Sequence, residues 1–403
     1  MEDVSATQLL LLSALLFLLP CSAYDACDEL DRDALLSLPF KAPLNWSAST
    51  DCCLWDGIIC DPLYHIRVIW LRLPKRGLSG VVSSAVTNLT LLTHLNLSHN
   101  SLLGSLPDDL LSSLPSLQVI DLSFNRLIGR FPSSSNASNH LQIINLSSNF
   151  FNGAIPSSVL VPSISIYKVS NNSFSSFSGH IGDGIVKLTN LNIIELHSNQ
   201  FSGKIPSHVG KPFNLLLHTN NFTGPLPSSL PNCTILSSLN LRVNNLMGEL
   251  SAFKFSTLQR LATLDLGNNN FIGELPQSLY SCKSLTAIRY GSNQLTGEMS
   301  PGVVALESLS FLSISAYNLR NAAGAFRILK GCKNLTTLVL FMNFLNEPFP
   351  DDKSLGDPVG FQSLEVFSLG ACQFTRQIPT WLAMLKKIKQ ILVVKAFNQS
   401  MRW

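Results

Sequence analysis

The chain of 403 residues predicts a solenoid of the α/β repeat class, a stack of short coils that share one parallel sheet. Three observations predict it. A phrase that reads LTHLNLSHNSLLGSLP from Leu92 to Pro107 returns at Leu117 to Pro132 and at Leu141 to Pro156. Its asparagine recurs at Asn100, Asn125, Asn149, Asn172, Asn199, Asn220, Asn244, Asn269 and Asn293, mostly 24 or 25 residues apart. Only 13% of residues are charged while 46% are hydrophobic, as expected when every coil feeds one continuous core.

One unit shows why these residues recur. Leu95-Asn96-Leu97 alternates apolar and polar, so it reads as a short strand with leucines inward and Asn96 outward. Asn100 turns the chain inward, where its amide satisfies backbone groups of its own turn and of the neighbouring coil. A buried polar group left unpaired costs roughly 1–3 kcal/mol, so such amides are expected to stack into a ladder. Gly104 permits a backbone geometry closed to other residues. The proline after Leu106 ends a second short extended piece, since it cannot donate to a ladder. One unit cannot bury its leucines alone, so neighbours must stack. The period is that of a leucine-rich repeat.

The elements follow in order. Leu9 to Leu19 is an apolar run of eleven residues before Cys21-Ser22-Ala23, which predicts a secretory signal peptide over residues 1–23. The run is too short to span a bilayer, and Glu2 and Asp3 stand where positive charge is usual. Residues 24–62 then predict an N-terminal cap. Four clustered cysteines in an exported chain imply two disulfides. Adjacent cysteines bond each other poorly, so Cys27 is paired with Cys52 and Cys53 with Cys60. A helix from Asp28 to Leu38 is expected to turn Leu30, Leu35 and Leu38 inward. Zinc is the other use of such a cluster, but no histidine partners it at a suitable spacing.

The repeats occupy residues 63–382, with about thirteen coils between Ile66 and Leu382. Arg76, Tyr317 and Cys372 replace the ladder asparagine in three of them. An extra triplet around Ser175–Phe177 and a missing one near Lys211–Phe213 disturb the spacing. Loop length itself is thermodynamically inexpensive, but the deletion abuts a strand, so local distortion is expected at Phe213–Leu216. Cys233, Cys282, Cys332 and Cys372 suggest no pairing and read as buried free thiols.

The cap CDELDRDALL…DCCLWDGIIC and repeats of the form LxxLxLSxNxLxGxIP resemble plant extracellular leucine-rich-repeat receptors. Two longer stretches, LATLDLGNNNFIGELPQSLYSCKSLTAIRYGSNQLTGEMSP and GFQSLEVFSLGACQFTRQIPTWL, are similar to receptors for tyrosine-sulfated peptides, the phytosulfokine and PSY-peptide receptors with their kinase-less relatives. The resemblance covers roughly Cys27 to Lys387. It implies a right-handed superhelix with a concave parallel sheet, a peptide ligand on the inner surface and membrane anchoring beyond the repeats. After Trp381 the phrase is lost. Residues 383–403 read as an irregular tail, with no further LxLSxN phrase, cysteine cap, apolar span or kinase motif. A truncated ectodomain is therefore expected, its last coil uncapped and fraying from about Phe367. The tail lysines Lys386, Lys387, Lys389 and Lys395 suggest a membrane-surface helix only weakly.

Function is sought on the outward face of the strands. One column of outward residues runs Arg72, Asn96, Asp121, Asn145, Lys168, Glu195, Leu216, Asn240, Asp265, Arg289, Ser313, Val339 and Ser368. The next holds His197, His218 and Arg242 on neighbouring coils. Strands stack about 4.8 Å apart, which puts Arg242 and Arg289 roughly 10 Å from each other. Two guanidinium groups at that distance are suited to share a sulfate or carboxylate. Glu195 and Asp265 would then select basic or amide groups on the same sulfated or acidic peptide. The histidine pair lacks a third ligand, so no metal is expected, and no cofactor. The net charge of +3 gives no case for nucleic acid. No nucleophile elbow, HExxH or enclosed carboxylate pair points to an enzyme.

Sequons stand at Asn45, Asn88, Asn96, Asn136, Asn145, Asn171, Asn221, Asn232, Asn334 and Asn398. Glycans at Asn96 and Asn145 would block the inner face near its N-terminal end and push a ligand toward later coils. Two uses of the face compete. One is a receptor ectodomain for a peptide or protein ligand, with a co-receptor as a further partner. The other is a secreted inhibitor of a pathogen cell-wall-degrading enzyme, like the polygalacturonase-inhibiting proteins. Those are shorter and closed by a C-terminal cysteine cap, so the receptor reading is favoured.

Overall fold

The computed structural model describes residues 27–393, apart from 43, 62–65, 134–139, 178–187, 207–208, 357–359 and 376. The leader expected over residues 1–23 and the sequons at Asn136 and Asn398 lie outside the described residues.

Each LxL phrase forms a strand of about three residues, His94–Asn96 and Val119–Asp121 among them. These strands stack into one sheet of fifteen, parallel throughout except for the first, Ile58–Cys60, which is antiparallel to its neighbour. The register holds from coil to coil. Leu95 lies opposite Leu71 on one side and Ile120 on the other, so the leucines form buried columns. The missing triplet does not distort the strand after it. Asn214–Leu216 pairs in register with both neighbours, and the shortening is absorbed outside the sheet. Within the extra triplet, Ser175 forms a one-residue bulge between Phe174 and Ser176.

The Gly-x-Ile-Pro side of each coil builds a second layer. Two five-stranded parallel sheets lie there, one from Ser79–Val81 to Ser173–Phe177 and one from Ser202–Lys204 to Gln294–Leu295. Gly104 has φ +79°, and a Cβ on it would lie 3.2 Å from Val81 of the preceding coil. Between the layers Phe151, Phe174, Phe201 and Phe222 stack along the axis at 6.0, 6.4 and 6.0 Å.

The ladder ties coils together. Asn125 Nδ2 donates to Leu122 O and Leu97 O at 3.0 Å each, and its Oδ1 accepts from the Leu102 N–H at 3.0 Å. One side chain thus joins its own turn to the coil before it. The residue preceding each rung is left-handed, as at Phe124 and Val243 with φ 56°. Where Cys372 replaces asparagine, its thiol still donates to Leu340 O at 3.0 Å.

Both ends depart from expectation. The cap helix runs Glu29–Leu36, with Asp28 accepting from the Leu30 and Asp31 N–H groups. Leu35 and Leu38 are buried, but Leu30 is 71% exposed, and Asp31 at 0% faces inward instead. Its carboxylate accepts from Arg67 Nε and Nη2 at 2.9 Å each and from the Val68 N–H at 2.7 Å. The helix phase is therefore set by an ion pair onto the first repeat strand. Disulfides join Cys27 to Cys52 and Cys53 to Cys60.

At the other end, Gln390–Leu392 adds a fourteenth parallel strand inside the segment expected to be irregular. Leu385, Ile388 and Ile391 occupy there the places of Phe361, Leu364 and Phe367 one coil earlier. Phe367, where fraying was expected to begin, is thus covered on both sides and fully buried. The last coils also exchange their second-layer strand for helix. Ala322–Leu329 is capped by Asn321, and the Glu347 carboxylate accepts from the N–H groups of Asn321 and Ala322 at 2.9 and 2.7 Å.

Candidate functional site on the concave face

The register places the first outward column as expected, with Asn240, Asp265, Arg289 and Ser313 opposite one another in turn. Its charges are largely matched within the protein. Lys168 Nζ lies 3.0 Å from Glu195 Oε1, and Arg289 Nη1 donates to Asp265 Oδ2 at 3.3 Å. Arg289 also sits 5.3 Å over the Phe311 ring. Burial raises the Asp265 pKa, against the lowering effect of the Gly267 N–H and of Arg289 and Arg242. The expected clamp of Arg242 with Arg289 is thus not what the structure builds, because Arg289 already holds Asp265. Glu195 and Asp265 are likewise engaged by cations of their own coils' neighbours.

Arg242 groups instead with the histidines. His197 and His218 stack with centroids 4.3 Å apart and planes at 15°. Burial lowers both pKa values, that of His218 to about 4, with His197 and Arg242 adding repulsion. The Arg242 guanidinium has no hydrogen-bond or ion-pair partner among the described residues. Its N–H does donate to Asn240 Oδ1 at 3.2 Å, which fixes the backbone beneath it. Stacked neutral rings beside an unmatched cation form a patch that can receive an anion.

Sequence reasoning passed over a third column. Val119, Ile143, Ile166 and Ile193 follow one another on the concave side, each half-buried. Toward the N-terminus it continues into His94 and Trp70, whose rings lie 4.6 Å apart, with Arg72 5.2 Å over the indole. The residue before each inward leucine carried this signal. Attention to the polar column hid it.

Other candidate residues fall elsewhere. Asn45, Asn88, Asn171, Asn221, Asn232 and Asn334 are exposed. Asn96 and Asn145 are half-buried beside the apolar column, where Asn96 Oδ1 accepts from Ser98 Oγ at 2.8 Å and Asn145 Nδ2 donates to Ser123 Oγ at 3.2 Å. The sulfurs of Cys27, Cys52 and Cys53 lie close enough together to suggest a metal, but all three are consumed in disulfides. Cys233, Cys282, Cys332 and Cys372 are buried and unbridged, and burial pushes each thiol up to about 11. They stay protonated and pack as small apolar groups. No helix among the described residues is long and apolar enough to cross a membrane.

Comparison with known proteins agrees with this architecture. The leucine rich repeat family matches residues 67–127, and a second leucine rich repeat description matches 140–160 and 260–282. Receptor-like protein 3 of Arabidopsis thaliana is 38% identical across 91% of this chain and 60% of its own length. Phytosulfokine receptor 1 of the same plant is 47% identical, over 19% of this chain and 7% of its own. Among solved structures, a TDR receptor superposes with a TM-score of 0.69 at 28% identity, over 80% of this chain and 55% of that one. The plant peptide hormone receptor RGFR1 in complex with RGF2 does so with a TM-score of 0.66 at 25% identity, over 79% and 53%. The chain therefore spans less than two thirds of these relatives. By its repeat, its cap and its relatives, it is a leucine-rich-repeat chain similar to plant leucine-rich-repeat receptor-like proteins.

Proposed function

We propose that this chain is the extracellular recognition part of a receptor or receptor-like protein, holding an extended peptide or protein segment on its concave sheet. The observation that carries this reading is the half-buried column Val119–Ile143–Ile166–Ile193 beside the charged column that includes Lys168 and Glu195. Four strands at about 4.8 Å offer an apolar track of a length suited to alternate side chains of an extended peptide. Structural relatives support it, since RGFR1 was solved with RGF2 and HAESA with the peptide hormone IDA and the co-receptor SERK1. A co-receptor partner belongs to the same proposal. So does entry into the secretory pathway, with glycans on the exposed sequons.

The track lies beside Asn96 and Asn145, so glycans there would compete with a ligand rather than merely displace it toward later coils. A direct test screens synthetic peptides against the secreted chain and against its Ile143→Asp/Ile166→Asp variant. Binding weakened at least about tenfold, some 1.4 kcal/mol, with circular dichroism unchanged, supports the reading. Asp108→Ala, exposed and outside the strands of the sheet, is the control and changes little. A peptide that binds both proteins equally would show that the concave track is ordinary surface.

A further inference from the structure

The concave face carries a local charge imbalance at Arg242 that the neighbouring side chains leave unanswered. Lys168 and Arg289 each hold a carboxylate, but Arg242 holds none among the described residues, and its charge acts on His218, which stacks on His197. Each imidazole Nδ1 lies within reach of the next residue's hydroxyl, Ser198 Oγ at 3.3 Å and Thr219 Oγ1 at 3.4 Å. That leaves the two Nε2 atoms for an outside partner.

We propose that His197, His218 and Arg242 form an anion site that takes a carboxylate or sulfate group of the ligand and gains a proton as it does so. This rests on the reading of the concave face as a recognition surface. The charged groups that face the ring pair are Glu195 and Lys168 on the His197 side and Arg242 on the His218 side, with Asp265 beyond Arg242. Glu195 is occupied by Lys168 and Asp265 by Arg289, so no internal acid answers His218. Burial, His197 and Arg242 hold His218 down to about 4, so the unliganded His218 ring is neutral in mildly acidic water. An anion lodged between Arg242 and Nε2 of His218 removes the repulsion and supplies the missing counter-charge. The proton comes from solvent and stays on His218 as an N–H donor to the ligand oxygen. Binding coupled to uptake of one proton strengthens as pH falls, by at most about tenfold per pH unit. Arg242 gives the site its charge at every pH, while His218 gives it the pH dependence.

The test follows the histidine ring resonances of the full secreted chain, assigned with His197→Gln and His218→Gln, while inorganic sulfate is added. Sulfate is the probe because it stays doubly charged throughout the range, from about 4 upward, in which His218 titrates. The expected result is a midpoint for His218 raised by about one pH unit or more, lost in Arg242→Ala. In His218→Gln, sulfate should bind through Arg242 with an affinity that no longer rises in acid. Trifluoroacetate, a carboxylate that stays ionised over the same range, shows in a parallel titration whether a single charge suffices or the doubly charged group is required. A His218 midpoint moved by neither anion, or moved equally in Arg242→Ala, overturns the proposal. Failure of every peptide to bind while sulfate titrates His218 would sink only the recognition reading.

Discussion

The ladder coils and the last three coils solve one packing problem with different chemistry. From Asn100 to Asn293 each coil closes with the same amide, and a second-layer strand fills its outer side. Among the described residues beyond Leu295 no such strand forms, and the repeat lengthens from 24 residues between Asn293 and Tyr317 to 26 up to Asn343 and 29 up to Cys372. The added residues make helix, and Phe326 on that helix enters a cluster with Phe344, Phe349, Phe367, Phe374 and Trp381 at centroid distances of 5.7 to 6.5 Å. Identical rungs give many small, equal interfaces, whereas the cluster concentrates stabilisation at one point. Damage should therefore spread differently in the two regions.

The largest effect is expected at Phe326→Ala, which opens a cavity among five rings and should cost about 3–5 kcal/mol. Amide exchange would rise together from Phe311 to Leu369 while strands between Leu92 and Leu266 keep their protection. Exchange that rises evenly along the chain would erase the distinction. Asn269→Ala should cost less, about 1–3 kcal/mol, by orphaning Leu241 O, Leu266 O and the Leu246 N–H. Its exchange signature should stop at the adjoining coils. A loss that reaches the cap would mean the ladder acts as one unit.

The smallest effect is a pH dependence confined to the ladder region. His94, His197 and His218 all have lowered pKa values, chiefly through burial. The unfolded chain, with ordinary histidines near 6.5, then binds protons first as pH falls toward about 4. Stability contributed by the neutral rings is complete above the unfolded value and is lost on acidification. Urea unfolding should show His218→Gln losing less stability than the parent between those pH values. Equal acid loss in both proteins would remove His218 from the account.

What could be read in the sequence follows from where its information is local. The leucine columns and the asparagine rungs recur at one spacing, so strands, register and the outward column were legible without coordinates. The cap helix was legible in extent but not in phase, because Leu30 and Asp31 are neighbours and only the reach of Arg67 decides which one faces in. The fourteenth strand went unseen because its leucine places are filled by Leu385, Ile388 and Ile391 with no asparagine rung to mark them. In the candidate site the residues were legible and their alliances were not. Whether Arg289 turns to Asp265 or toward Arg242 depends on side-chain direction across coils, which spacing alone does not encode.

The ladder also bears on how the chain acquires its structure. Each rung bonds only its own turn and the coil before it, so no contact of the ladder must wait for a distant segment. Loop closure is then a short, nearly constant step repeated down the chain, and a solenoid of this length has the local connectivity of a much smaller protein. A nucleus can begin wherever two well-formed coils meet and grow coil by coil in both directions. The cap ends that growth at one side through Asp31 and Arg67. At the other, growth meets Phe326, whose partners come from the two coils that follow it, so the aromatic end condenses as a block rather than coil by coil.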